Sequence, residues 1–142
     1  MALGSNLAGR AINITKTTAP HAMSYKITTT YGTPHGLAVA LTMPWCAEFL
    51  LSDGTETVKD SLDIIAKALK LENRYMIPEY FLALLKKLPV KFPDIMENDI
   101  DYLASSVNIE RLKNMPVVPE ITDIAEIYSK AAEFCRKMNN TD

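Results

Sequence analysis

The chain has 142 residues, of which 48% are apolar and 23% are charged, and its formal net charge is −2. These values are typical of a single globular domain with one hydrophobic core. The near balance of 15 basic and 17 acidic residues gives no reason to expect nucleic acid or an anionic membrane as a partner. No apolar stretch reaches the roughly 20 residues that a membrane span needs. No signal peptide is visible, so we expect a cytoplasmic protein.

The two cysteines, Cys46 and Cys135, form neither a CxxC pair nor another metal-ligand spacing. One disulfide between them is compatible with the sequence. Two free, buried thiols in a reducing cytosol are the state that we expect.

Apolar residues recur at helical spacing along the chain, whereas the alternation that predicts strands is scarce. A weak helical segment is predicted over residues 5–15, and a second over 20–31, opened by Pro20 and closed by Gly32. A long helix over 35–51 contains Pro44, which is expected to kink or break it. Further helices are predicted over 57–69, 78–88, 97–107, 109–113 and 121–138. The pattern therefore predicts an all-α helical bundle.

The last predicted helix has the clearest apolar stripe. Its members repeat at intervals of three and four residues: Ile121, Ile124, Ala125, Tyr128, Ala131, Ala132, Cys135 and Met138. Thr122 is the expected N-cap of this helix, and Thr57 is expected to begin the helix over 57–69 with a sequence that resembles a capping box.

Only two histidines occur, His21 and His35, and they lie 14 residues apart. Each follows a proline and opens a predicted helix, so the backbone holds each ring at a helix start. Two neutral imidazoles presented in this way could bind a divalent ion such as Fe²⁺ or Zn²⁺. However, a metal site needs three or four ligands, and isolated histidines are more often surface or core residues. The spacing alone leaves both interpretations open.

A resemblance to a known family favours the metal interpretation. Iron-containing (group III) alcohol dehydrogenases have a small-residue helix, a histidine, a Pro-His-Gly motif 14 residues later, and an apolar helix ending in proline. The corresponding segments here are Leu7-Ala8-Gly9-Arg10, His21, Pro34-His35-Gly36, and Leu37 to Pro44. Residues 108–116 and the last helix extend the resemblance over essentially the whole chain. The resemblance implies that residues 1–142 form one helical C-terminal domain of the dehydroquinate synthase-like fold.

The resemblance also implies a mechanism and a ligand set. In this family a divalent metal polarises the carbonyl or alkoxide oxygen while NAD or NADP carries the hydride. One aspartate and three histidines bind the metal, and His21 and His35 match the last two. The other ligands and the glycine-rich cofactor-binding stretch belong to the family's N-terminal half, which we expect to be absent from this chain. We therefore expect an incomplete site for Fe²⁺ or Zn²⁺, weak metal binding and no activity for the chain alone.

Finer details of the resemblance concern the substrate. The residues around His21 are similar to the branch that includes phosphonoacetaldehyde reductases. Tyr25 stands where many relatives carry a second histidine, so it is a candidate catalytic residue, with core packing as the alternative role. Lys16 and Lys26 are candidates for binding an anionic substrate group such as a phosphonate, although lysines are more often solvated surface charges. The expected partner is a small alcohol or aldehyde, which could carry a phosphonate.

Two other functions remain open at this stage. The chain could be a non-catalytic helical interaction module that self-associates through the face that normally meets the N-terminal half. It could also be a subunit that docks with a separately encoded N-terminal half and so completes the four-ligand site.

Overall fold

A computed structural model describes residues 2–140, and these residues form eight α-helices, two short 3-10 turns and no strand. The predicted all-α fold is therefore confirmed. The helices are α1 (Ala2–Ile12), α2 (Ala19–Tyr31), α3 (His35–Asp53), α4 (Glu56–Ala68), α5 (Ile77–Lys86), α6 (Ile100–Ser105), α7 (Ile109–Leu112) and α8 (Ile121–Asn139). The 3-10 turns, Arg74–Met76 and Glu97–Asp99, lead directly into α5 and α6.

Helix α3 lies at the centre of the bundle and packs against α2, α5 and α8, while α6 packs against α8. The main core includes Met23 from α2, Leu41 from α3, Leu103 from α6 and Tyr128 from α8, all fully buried. The Tyr128 hydroxyl donates a hydrogen bond of 2.8 Å to the carbonyl oxygen of Met23. This bond ties the last helix to the helix that carries the first histidine.

Both cysteine thiols lie inside this core as free thiols, as the sequence predicted. Burial raises the pKa of Cys46 and of Cys135 to about 12, because the apolar surroundings disfavour the thiolate. Neither thiol therefore has the acidic, accessible character of a reactive cysteine.

The prolines and glycines of α2 and α3 act largely as predicted. Gly32 ends α2 in the left-handed region, with φ of 64°, which a glycine adopts without steric cost. Helix α3 runs without interruption through Pro44, so a break at this proline is excluded. Pro44 has no N–H to donate within the helix, and Pro44 and Trp45 are both buried. The helix extends to Asp53, two residues beyond the predicted end.

Two predicted helix caps are wrong. Helix α4 is capped by Thr55 rather than begun at Thr57, since the Thr55 hydroxyl accepts a hydrogen bond of 3.4 Å from the amide of Val58. Helix α8 is capped at Glu120 rather than Thr122, because the amide of Glu120 donates to the carboxylate of Asp123 over 2.8 Å. In both cases a polar residue closer to the preceding loop takes the role.

Helix α1 differs from the others because none of its residues is buried. Its apolar side chains are largely exposed: Leu3, Leu7 and Ile12. The helix occupies residues 2–12 rather than the predicted 5–15. Within residues 2–140, no helix combines the length and the apolar character needed to cross a membrane.

Candidate metal centre

The corner between α2 and α3 brings the two histidines together. His21 lies in the first turn of α2, and His35 is the first residue of α3. The distance along the helix axis from Tyr31, at the end of α2, back to Ser24 is about 10 Å. The four Cα steps from Tyr31 to His35 can span up to about 14 Å. Since Gly32 reverses the chain, this short linker returns His35 to the middle of α2.

The rings of His21 and His35 are in edge contact, with centroids 5.5 Å apart and planes inclined by 64°. The ring of Tyr25, one helical turn after His21, lies 5.5 Å from the ring of His35. His35 and Tyr25 are exposed, and His21 is half-buried. The three side chains named as candidates from the sequence therefore form one cluster at the protein surface.

Ser24 contacts both histidines from the buried side of α2. It is fully buried, and its hydroxyl lies 2.8 Å from the carbonyl oxygen of His21 and 3.3 Å from Nδ1 of His35. Sequence reasoning passed over this residue. Its position three residues after His21 places it on the same side of α2, but its contact with His35 depends on how α3 packs against α2.

The surroundings favour a neutral imidazole at His21. Partial burial lowers its pKa below the ordinary value, and the nearby His35 lowers it further. Only a neutral imidazole has a lone pair for a metal, so both effects favour metal binding near neutral pH.

Arg111 of α7 is the other residue that sequence reasoning missed. Its guanidinium carbon lies 4.4 Å from the centre of the Tyr25 ring, and its Nη1 donates a hydrogen bond to the Tyr25 hydroxyl. No ion pair to Arg111 occurs within the described part of the chain. Arg111 is 86 residues from Tyr25, so no local pattern could have indicated this contact.

The two lysines named from the sequence lie in different settings. Lys26 donates a hydrogen bond of 3.1 Å to the hydroxyl of Tyr102 and lies over that ring. Lys16 is exposed in the segment between α1 and α2. Within the described part of the chain, neither lysine contacts a histidine ring. A role for either lysine in substrate binding stays a prediction.

The two histidines fit part of a metal site. They place two imidazole rings side by side, and imidazole nitrogen is a donor that suits Fe²⁺ or Zn²⁺. Among residues 2–140, no three histidine, cysteine or carboxylate side chains converge on one point. The described residues therefore provide two ligands of the three or four that such an ion needs.

Comparison with known proteins agrees with this all-helical fold. The family model described as the C-terminal part of the Fe-containing alcohol dehydrogenase family matches residues 1–132. The chain therefore belongs to the Fe-containing alcohol dehydrogenase family, and it corresponds to the family's C-terminal domain. No curated protein and no solved structure matched the chain.

Proposed function

We propose that this chain supplies two metal ligands, His21 and His35, to a metal-dependent, NAD(P)-linked alcohol dehydrogenase or aldehyde reductase. The observation that carries the proposal is the contact between the two rings in a chain of this family. A bound Fe²⁺ or Zn²⁺ supplies Lewis acidity toward the alcohol or carbonyl oxygen, while NAD or NADP supplies hydride chemistry. The remaining ligands and the cofactor site would come from outside these 142 residues.

The residues of the cluster have separate roles in this proposal. His21 and His35 would hold the metal ion. Tyr25 lies beside these ligands, because its ring contacts that of His35. Its hydroxyl accepts a hydrogen bond from Arg111, so its own proton is available to a substrate oxygen. Tyr25 thus orients the substrate by hydrogen bonding.

Arg111 binds an anionic group on the substrate in this proposal. Its guanidinium has no carboxylate partner within residues 2–140, and only one ring separates it from His35. A guanidinium presents several donors in a plane and binds carboxylate or phosphonate groups through paired hydrogen bonds. We therefore propose an aldehyde or alcohol that carries such a group, with Arg111 acting in addition to, or in place of, Lys16 and Lys26.

Metal binding is the first test. Purified chain is titrated with Zn²⁺ by calorimetry beside the variant His21→Ala/His35→Ala. Weak binding that the variant loses is the expected result, because two ligands hold the ion and the rest are lacking. Equal heats from both proteins would overturn the two-histidine site. With Fe²⁺ or Zn²⁺, NADH or NADPH and short aldehydes, we expect no turnover above that of the variant.

The anionic-group proposal has its own test. Ethylphosphonate is titrated into ¹⁵N-labelled chain, and the amide shifts around Tyr25 and Arg111 are followed by NMR. Arg111→Gln is expected to weaken binding about tenfold or more, since one charge-assisted contact is worth about 1.5–3 kcal/mol. Lys26→Gln is the matched control, as it removes a cation from the next residue of α2. Loss in Lys26→Gln alone would transfer the role to Lys26.

The alternative function is a non-catalytic helical module that self-associates. The exposed apolar residues of α1 favour it, because contiguous apolar surface is typical of interaction sites. Light scattering over a range of concentrations tests it. A mass that rises toward that of a dimer would support the module, and a constant monomer mass would count against it.

A further inference from the structure

The hydroxyl of Ser24 has a position that the proposed metal chemistry does not yet explain. It is fully buried, on the inner side of α2, and contacts both candidate ligand residues. One contact is to the backbone carbonyl of His21 over 2.8 Å, and the other is to ring nitrogen Nδ1 of His35 over 3.3 Å. Burial keeps competing water away, so these two partners decide how the hydroxyl proton is placed.

The proton count of this arrangement has one solution that satisfies both contacts. A serine hydroxyl has one proton to donate and lone pairs that accept. The carbonyl oxygen of His21 can only accept, and it is the closer partner, so the Ser24 proton lies on that bond. The Ser24 oxygen then accepts from Nδ1 of His35, which must carry a proton. The opposite assignment would leave two acceptor oxygens 2.8 Å apart with no proton between them.

We propose that Ser24 is a positioning residue that holds neutral His35 in the tautomer protonated at Nδ1. In that tautomer Nε2 has the free lone pair and is the nitrogen that can bind a metal. Outer hydrogen bonds to ligating histidines commonly fix tautomer and ring orientation in this way. The metal consequence rests on the proposed function, whereas the tautomer is a property of the metal-free chain.

The same hydroxyl also couples the two ligand residues. It is hydrogen-bonded to the backbone carbonyl of His21 in α2 and to the ring of His35, the first residue of α3. One buried side chain is therefore hydrogen-bonded to the backbone of one candidate ligand and to the ring of the other. Removing the hydroxyl is expected to free the His35 ring without removing either ligand.

Imidazole ¹⁵N spectra of the metal-free chain test the tautomer directly. At pH 8, wild-type His35 is expected to show a protonated Nδ1 and an unprotonated Nε2. In Ser24→Ala the ring loses its Nδ1 partner, and its signals are expected to move toward the Nε2-protonated form. A wild-type spectrum with Nε2 protonated, or signals unchanged in Ser24→Ala, would overturn the proposal.

Thr42→Val is the matched control. Thr42 is also fully buried, and its hydroxyl donates to a carbonyl three residues earlier, that of Val39, over 3.2 Å. It lies on α3, the helix that begins at His35. Its loss should lower stability to a similar extent as Ser24→Ala and leave the His35 tautomer unchanged. A tautomer shift in Thr42→Val as well would assign the effect to general loosening and overturn the specific role of Ser24.

Zinc titration of the same proteins tests the metal consequence. Ser24→Ala is expected to bind Zn²⁺ about tenfold more weakly than wild type, the lower end of the usual effect of an outer hydrogen-bond partner. Affinity equal to wild type, with a shifted tautomer, would overturn the link between Ser24 and the metal. Absence of Zn²⁺ binding in wild type would instead overturn the proposed function, and the spectra would still decide the role of Ser24.

Discussion

Helices α1 and α8 both carry apolar residues at helical spacing, yet α8 buries seven side chains and α1 buries none. The difference lies in what faces each helix. Helix α8 packs against α6 and α3, whereas the apolar side chains of α1 are exposed. Periodicity therefore predicts that a helix forms and which face is apolar, but burial requires a second surface. The three substitutions below test whether the contrast between α1 and α8 also appears in the free energy of unfolding.

The largest effect is expected from Ile127→Ala in α8. Ile127 is 4% exposed and belongs to the main core. Truncating a buried isoleucine removes apolar contacts and leaves a cavity, so we expect a loss of about 2–5 kcal/mol in the free energy of unfolding. Urea unfolding followed by circular dichroism measures it. Ile121→Ala is the control on the same helix: Ile121 is 56% exposed, and a change within about 0.5 kcal/mol is expected. Equal effects at both positions would contradict the assigned face of α8.

Tyr128→Phe should have a smaller effect. The substitution keeps the ring in the core and removes only the hydroxyl that donates to the carbonyl of Met23. A buried hydrogen bond of this kind contributes about 1 kcal/mol to the free energy of unfolding. Tyr102→Phe is the matched control, because the Tyr102 hydroxyl also contacts α2, at Lys26, but on the exposed surface. A loss in Tyr102→Phe as large as in Tyr128→Phe would show that burial does not decide the strength of these bonds.

The sequence was informative wherever local pattern governs structure. The all-α fold, the end of α2 at Gly32 and most of the buried face of α8 follow from periodicity and backbone preference. The face of α8 was incomplete, however, since Ile127 and Phe134 are buried and Ile121 is not. Helix α8 is covered by neighbours on more than one side, which a single stripe of apolar residues does not reveal. The caps at Thr55 and Glu120 were missed because in each case another polar residue, two positions later, could have taken the same role.

Some residues of the candidate site could likewise be predicted from local sequence, and others could not. His21 and His35 could be named from sequence because they match a family motif, and Tyr25 because it stands where many relatives carry a second histidine. Arg111 could not, since it reaches Tyr25 only through the packing of α7 against α2. Ser24 lies within the predicted helix, but a serine does not by itself indicate a metal site. Its role depends on the distance to His35, which only the α2–α3 corner determines.

Leu7→Ala in α1 should have the smallest effect on an isolated chain. Leu7 is 51% exposed and α1 contributes nothing to the core, so the free energy of unfolding should change by no more than about 0.5 kcal/mol. Alanine is also the better helix former, which offsets part of the lost contact area. Urea unfolding at two protein concentrations, tenfold apart, separates two origins of any larger loss. A loss above 1 kcal/mol at both concentrations would mean that α1 is packed within its own chain. A loss that appears only at the higher concentration would mean that a second copy covers α1, because association stabilises the folded state by mass action. In that case the contrast between α1 and α8 is one between an interface within the chain and an interface between chains.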